Sequence, residues 1–329
     1  MDTQIITNPS DQELDMLACA LRNGELVSIP TETVYGLGAN GLDPEAMDKI
    51  YIAKGRPSDN PLILHVPNSE SIKPLVTEVS NTAQLLMDTF WPGPLTITLP
   101  KSDLVPDRAT GGLPRVALRC PDHELCRALL ERAGVPIAAP SANISGRPSP
   151  TTAQDVYHDM KDRISYILDA GSCTIGVEST VVEVHDDKVI ILRPGGITKA
   201  QLEGVVSTVE YDTALVNATT KPKAPGMKYT HYAPDAPMTV VVGSPEDVAS
   251  TFKELSAEVE GPIGCLVSHE TYNLIKGDTR FICHCFGHHS DALSLGHDFY
   301  KSLLHFNENH VTLILAEGVD DDGFGVAIM

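Results

Sequence analysis

From Tyr211 to Pro237 the chain loses its apolar periodicity. Pro222, Pro225, Gly226, Pro234 and Pro237 all fall inside this stretch. Proline lacks a backbone donor and glycine resists being fixed, so neither a helix nor a strand is expected to run through it. The break divides the 329 residues into a long part at 1–207, a linker at 208–237 and a shorter part at 238–329. Two domains also suit a chain of this length, at about 100–200 residues each.

Local patterns on either side of the break give the fold class. Ser10 and Glu13 form a capping box, Leu14, Leu17, Ala18 and Leu21 make an apolar stripe, and Gly24 stops the helix. Asp43 followed by Pro44 opens a second helix that reaches about Ala53. The stretches 25–30, 62–66, 95–99, 115–119 and 135–139 read as strands, and 83–90 and 122–133 as helices between them. Ser179–Val184 and Lys188–Arg193 flank His185, Asp186 and Asp187, which predicts a hairpin. Thr198 with Gln201 caps one more helix. Strands and helices mix without strict βαβ order, so the long part is expected to be α/β with an open, twisted, mixed sheet. After Met238 the alternation is regular, which predicts a small Rossmann-like α/β C-terminal domain.

Charge narrows the partners. The chain has 24 Lys+Arg against 44 Asp+Glu, a net charge of −20. Both the first 207 residues and the remainder carry an acidic excess, which disfavours a broad nucleic-acid surface. Any anion site must therefore be a local cluster of cations. No apolar run approaches the ~18 residues of a membrane span, and the acidic N-terminus has no signal-peptide pattern. Seven scattered cysteines do not form a disulfide framework, so the expected compartment is the reducing cytoplasm.

Three motifs carry possible chemistry. Gly36, Gly38 and Gly41 fit Gly-x-Gly-x-x-Gly, but six residues separate them from the preceding strand and the helix starts only at Asp43-Pro44. The dinucleotide reading fails on that context. Cys283-His284-Cys285 with His288-His289 has closer spacing than structural zinc sites use, so it reads as a polar loop beside a strand. Lys54-Gly55-Arg56-Pro57, followed by Asn60-Pro61, puts two cations in a stiff loop after a helix. It is either an anion cradle or a lysine suited to a helix C-terminus. Arg115 and Arg119, spaced evenly, share one face of a strand, and Arg193 ends another. Ser141-Ala142-Asn143 and Gly176–Thr180 place further polar groups at strand ends, where α/β proteins bind ligands.

These segments together resemble the YrdC-like family in its long form, which has an extra C-terminal domain. The matching pieces are PTETVYGLGAN (30–40), KGRPSDNPLILHV (54–66), FWPGPLTITL (90–99), RVALRCP (115–121), APSANISGRPSPT (139–151), GVESTVVEV (176–184), ILRPGGIT (191–198) and APGMKYTHYAP (224–234). Eight matches in family order over some two hundred residues are specific, although each alone is weak. The resemblance implies a YrdC-like sheet and a nucleotidyltransferase. Its substrates are L-threonine, bicarbonate and ATP, with Mg²⁺ accompanying ATP and no prosthetic group. Its products are threonylcarbamoyl-AMP and pyrophosphate, for threonylcarbamoyladenosine modification of tRNA by a separate transferase. A weak tRNA contact is compatible with this, and a membrane is not expected.

The resemblance also assigns residues. Lys54 and Arg56 are the catalytic candidates. Arg56, Asn60, Arg115, Ala139, Ser141, Asn143, Ser149, Arg193 and Tyr229 match ATP-binding positions. Thr33, His65, Arg119 and Ser179 match threonine-binding positions, with Arg119 suited to the carboxylate. No resident metal site is expected. Lys228, His231 and Tyr232, in a linker rich in binding groups, are expected to act as a lid that excludes water. No general base stands out. His65 is expected to be a substrate contact, because a carbamate already bears a charged oxygen.

Overall fold

A computed structural model describes residues 2–216, 233–320 and 323–328. The expected ATP contact Tyr229 and the expected lid residues Lys228, His231 and Tyr232 lie outside the described residues.

The long part forms a mixed sheet of eleven strands. Their spatial order is Gln4–Thr7, Tyr166–Asp169, Val27–Ile29, Gly36–Asn40, Ile137–Ala138, Ile63–His65, Arg115–Arg119, Leu95–Pro100, Thr180–His185, Lys188–Arg193 and Thr208–Tyr211. Parallel and antiparallel pairings alternate irregularly across it. Ile63–His65 runs parallel to Arg115–Arg119 with His65 opposite Arg119, whereas Thr180–His185 and Lys188–Arg193 make the expected antiparallel hairpin. The sheet continues to Tyr211, so the long part runs past the expected boundary at 207.

Helices cover both faces, for reasons visible in their sequences. Asp11–Arg22 starts at Ser10, whose hydroxyl accepts from Glu13 N while the Glu13 carboxylate accepts from Ser10 N at 2.8 Å. Its buried Leu14, Leu17 and Leu21 pack with Leu129 and Leu130 of Glu124–Ala133 over Val27, Ile29 and Ile137. Pro44–Lys54 lies over the larger core, capped by Asp43. It stops at Gly55, whose φ of 61° is left-handed and costs glycine little.

The glycine triad is a strand. Gly36–Asn40 pairs antiparallel to both neighbours, and a Cβ on Gly38 would sit 2.9 Å from the Val27 carbonyl oxygen. These glycines let backbones and side chains pack closely, and no helix begins among them.

The C-terminal part has four parallel strands in the order Met238–Val241, Leu313–Glu317, Ile263–Val267 and Phe281–Cys285, with helices Pro245–Leu255 and Ala292–Glu308 among its elements. The expected polar loop at Cys283-His284-Cys285 is instead the edge strand itself, half-buried, with Cys283 opposite Cys265. His288 and His289 are paired with Glu270 and Glu317 at 3.0 and 2.8 Å. Among the described residues no cluster of His, Cys, Asp and Glu could hold a metal ion. No described helix is long and apolar enough to cross a membrane.

The two parts touch closely. Val34 of the long part shares a core cluster with Leu295, Tyr300, Leu303 and Phe306. Gly176 lies so near the Ala292–Glu308 helix that a Cβ there would come within 2.6 Å of the Gly296 carbonyl oxygen.

Candidate active site

A cavity opens where the ends of several strands of the large sheet meet. It encloses about 590 Å³, open mouth included. Five segments build it. The turn at 31–34 supplies Thr33, ordered by the Thr31 hydroxyl, which accepts from Thr33 N and Val34 N at 3.2 Å. The paired strand ends supply His65 and Arg119, the turn at 139–141 supplies Ala139 and Ser141, and 178–179 supplies Glu178 and Ser179. Arg56 and Arg193 complete the lining.

The strand register explains why His65 and Arg119 meet. Parallel neighbours in register point to the same face, so the two side chains lie side by side. Burial, and then the positive charge of Arg119, push the His65 imidazolium down to about 3. The ring is therefore neutral at physiological pH. Arg119 is held from behind by the buried carboxylate of Glu32, with Nη2 and Oε2 2.8 Å apart, a charge contact rather than an aligned hydrogen bond. Sequence reasoning missed Glu32. It lies inside the PTETVYGLGAN segment, but only the folded chain shows what it faces.

Arg193 returns across the hairpin. Its Nη2 donates to the Ser179 carbonyl at 2.8 Å and to the Ser179 hydroxyl at 3.2 Å, and that hydroxyl also bonds the Thr96 hydroxyl at 2.8 Å. Arg56 donates to the Pro61 carbonyl at 3.2 Å. Three guanidiniums thus converge on one cavity in an acidic protein, the local cluster that the bulk charge required.

The remaining expected residues sit around this cavity without lining it. Lys54 is buried. Its ammonium donates to the carbonyls of Ser141 and Asn143, the latter at 2.5 Å, so it braces the turn that presents Ser141. Burial first, then nearby Arg56, lowers its pKa well below the usual lysine value. The Asn143 amide donates to the carbonyls of Ile144 and Arg147, and Ser149 donates to Glu178 at 2.7 Å. Asn60 is fully buried, and neither end of its amide has a partner among the described residues. An unmet buried amide is costly.

Arg115 lines a second, mostly apolar hollow with Leu113, Pro114 and Leu192, and this hollow shares Pro61 and Leu62 with the first. Its Nη2 donates to the carbonyls of Thr98 and Val184 at 2.7 and 2.9 Å. The two hollows are neighbours across Pro61 and Leu62, the first lined by three guanidiniums and the second mostly apolar.

The Sua5/YciO/YrdC family model, described as "Telomere recombination", matches residues 19–195. A model described as "Threonylcarbamoyl-AMP synthase, C-terminal domain" matches residues 197–329. The threonylcarbamoyl-AMP synthase of Bacillus subtilis is 46% identical, over 97% of this chain and 92% of its own. That of Pyrococcus abyssi is 43% identical, over 94% and 89%. The crystal structure of P. abyssi Sua5 complexed with L-threonine superposes with a TM-score of 0.92 at 40% identity, covering 100% of this chain and 96% of that one. With both models matched in order along nearly its whole length, the chain belongs to the Sua5/YciO/YrdC family, in the form that carries the additional C-terminal domain.

Proposed function

We propose that this protein condenses L-threonine, bicarbonate and ATP into threonylcarbamoyl-AMP and pyrophosphate, and so acts as a nucleotidyltransferase. The observation that carries the reading is the convergence of Arg56, Arg119 and Arg193 with Thr33, His65, Ser141 and Ser179 on one cavity. The curated relatives that bear this activity in their names match over most of their length.

Threonine enters between Thr33, His65, Arg119 and Ser179, with its carboxylate against the Arg119 guanidinium. Neutral His65 contributes hydrogen bonding and no charge. The amine of threonine takes up the bicarbonate carbon and water leaves, giving a carbamate. A carbamate oxygen then attacks the α-phosphorus of ATP, and the bond to the β-phosphate oxygen breaks to release pyrophosphate. The attacking oxygen is already negative, so the protein mainly positions the reactants and neutralises charge. Arg56 and Arg193 meet the phosphates, and Ser141 adds a neutral donor. Asn60 faces the nucleotide, and Arg115 with its apolar hollow takes the adenosine end. Lys54, Asn143 and Ser149 hold the turns behind these contacts.

Magnesium arrives with ATP. Among the described residues, the one carboxylate in the cavity lining is Glu178, and its oxygens already accept from Ser149 and Tyr300. The metal is therefore bound chiefly through phosphate and water, as Mg²⁺ favours. The product passes in the cytoplasm to a transferase that places the threonylcarbamoyl group on the adenosine beside the anticodon of tRNA. Any tRNA contact with this acidic chain is weak.

Mass spectrometry of a reaction containing threonine, isotopically labelled bicarbonate and ATP tests this reading. The expected product is an adenylate that carries the labelled carbon. An adenylate of threonine without that carbon, or no adenylate, would overturn it.

A further inference from the structure

Glu178 stands at the seam between the two parts of the chain, and both of its carboxylate oxygens are engaged. Oε1 accepts from the Ser149 hydroxyl at 2.7 Å, and Oε2 accepts from the Tyr300 hydroxyl, also at 2.7 Å. Tyr300 belongs to the C-terminal domain, on the helix Ala292–Glu308, and is 4% exposed. Its ring packs in the cluster that also takes in Val34 from the cavity wall. Ser179, next along the chain from Glu178, carries Arg193 on its carbonyl and hydroxyl oxygens. The Glu178 carbonyl itself accepts from Gly196 N at 3.0 Å.

We propose that Tyr300 is a positioning residue of the active site: from the C-terminal domain it fixes the Glu178 carboxylate, and through it the Ser149 hydroxyl and the 176–179 turn that carries Ser179 and Arg193. This inference rests on the proposed reaction for its kinetic consequence, but not for its structural one. The chemistry is direct. Hydrogen bonds to a charged group are about twice as strong as neutral ones, and a carboxylate that loses a donor in a half-buried place seeks another. In this cavity the charged donors are the guanidiniums of Arg56, Arg119 and Arg193. Without the Tyr300 hydroxyl, Glu178 turns toward the cations that should meet ATP, and its negative charge opposes the triphosphate.

Tyr300→Phe keeps the ring and its packing while removing only the hydroxyl. Two readouts on the full-length protein decide the question. The first is hydrogen exchange without any ligand. Amides at 176–180 should exchange roughly tenfold faster in Tyr300→Phe, while those of the strand Ile263–Val267 keep their wild-type rates. The second is steady-state kinetics. KM for ATP should rise by about tenfold with kcat changed less than about twofold, and Tyr300→Phe should cost far less in a Glu178→Gln background, where no carboxylate is released. Unchanged exchange at 176–180 overturns the proposal. So does an equal loss of kcat in both backgrounds, the pattern of general unfolding. Faster exchange at the turn, in an enzyme that makes no threonylcarbamoyl-AMP, upholds the positioning role and removes the proposed reaction instead.

Discussion

Arg119 Nη2 lies 2.8 Å from Glu32 Oε2, and both side chains are almost wholly buried. The pair sets the charge of the cavity at its Arg119 side. A buried ion pair is weak evidence for stability, yet removing one member leaves the other uncompensated. Glu32→Gln is expected to lower the free energy of unfolding by about 3 kcal/mol in urea titrations. The double variant Glu32→Gln/Arg119→Met should recover much of that loss without recovering threonine binding by calorimetry. Equal stability of wild type and Glu32→Gln would show that the contact carries no weight.

Arg56 and Arg115 line the two neighbouring hollows. Arg56→Ala or Arg115→Ala should abolish the pyrophosphate release that depends on threonine and bicarbonate. Arg56 is buried and Arg115 bonds two carbonyls, so melting temperatures should be measured beside activity, and the loss of pyrophosphate release should greatly exceed any loss of folded protein. Full activity in both would remove the assignment of the two hollows to ATP.

His65 has a depressed pKa in the folded chain, about 3 against 6.5 when free. Between those values the unfolded chain binds a proton at this ring and the folded chain does not. Stability is therefore fully present above 6.5 and falls as the pH drops toward 3. A pH series of melting temperatures should show wild type losing up to about 2 kcal/mol relative to His65→Gln on going to about pH 5. The rate profile near neutrality should carry no limb from His65. A limb near pH 6.5 that disappears in His65→Gln would contradict the neutral ring.

Gly195 supports the turn that carries Ser179 into the cavity. A Cβ there would lie 2.4 Å from the Glu178 carbonyl oxygen and from backbone atoms of Ser179 and Thr180. Gly195→Ala must push that turn away and carry Ser179 with it. Threonine KM should rise by an order of magnitude or more, with a loss of about 1–3 kcal/mol in stability. Unaltered threonine KM would mean that the turn tolerates displacement.

Much of the framework can be read directly from local chemistry. The Ser10 and Thr198 capping boxes, the Asp43-Pro44 helix start and the 180–193 hairpin need only a few neighbouring residues, and all are present. Strand Gly36–Asn40 is hidden because glycines are poor strand formers. There the missing side chains are a requirement, since the Val27 carbonyl and Ile137 occupy their space. The short edge pair Gln4–Thr7 and Tyr166–Asp169 likewise gives little periodic signal. Phe281–Cys285 was masked by cysteine and histidine, which suggest a loop or a metal before they suggest a strand. At the site, the cations are visible as types, but their roles follow from three-dimensional partners. Lys54 looks like a phosphate ligand until the carbonyls of Ser141 and Asn143 are seen around it. Tyr300 gives no signal at all, because its partner Glu178 is 122 residues away.

The contact of Gly176 with Gly296 joins the two parts backbone to backbone. A Cβ on Gly296 would in turn meet the Phe324 ring at 2.6 Å. The side-chain contacts of the seam can be re-cut by compensating substitutions, one residue growing as another shrinks, but where Gly176 meets Gly296 the main chain offers nothing to trade. The C-terminal domain is therefore not an exchangeable accessory. A chimera that imports it from a relative must import the 176–179 turn with it, and the two segments should be inherited as one piece.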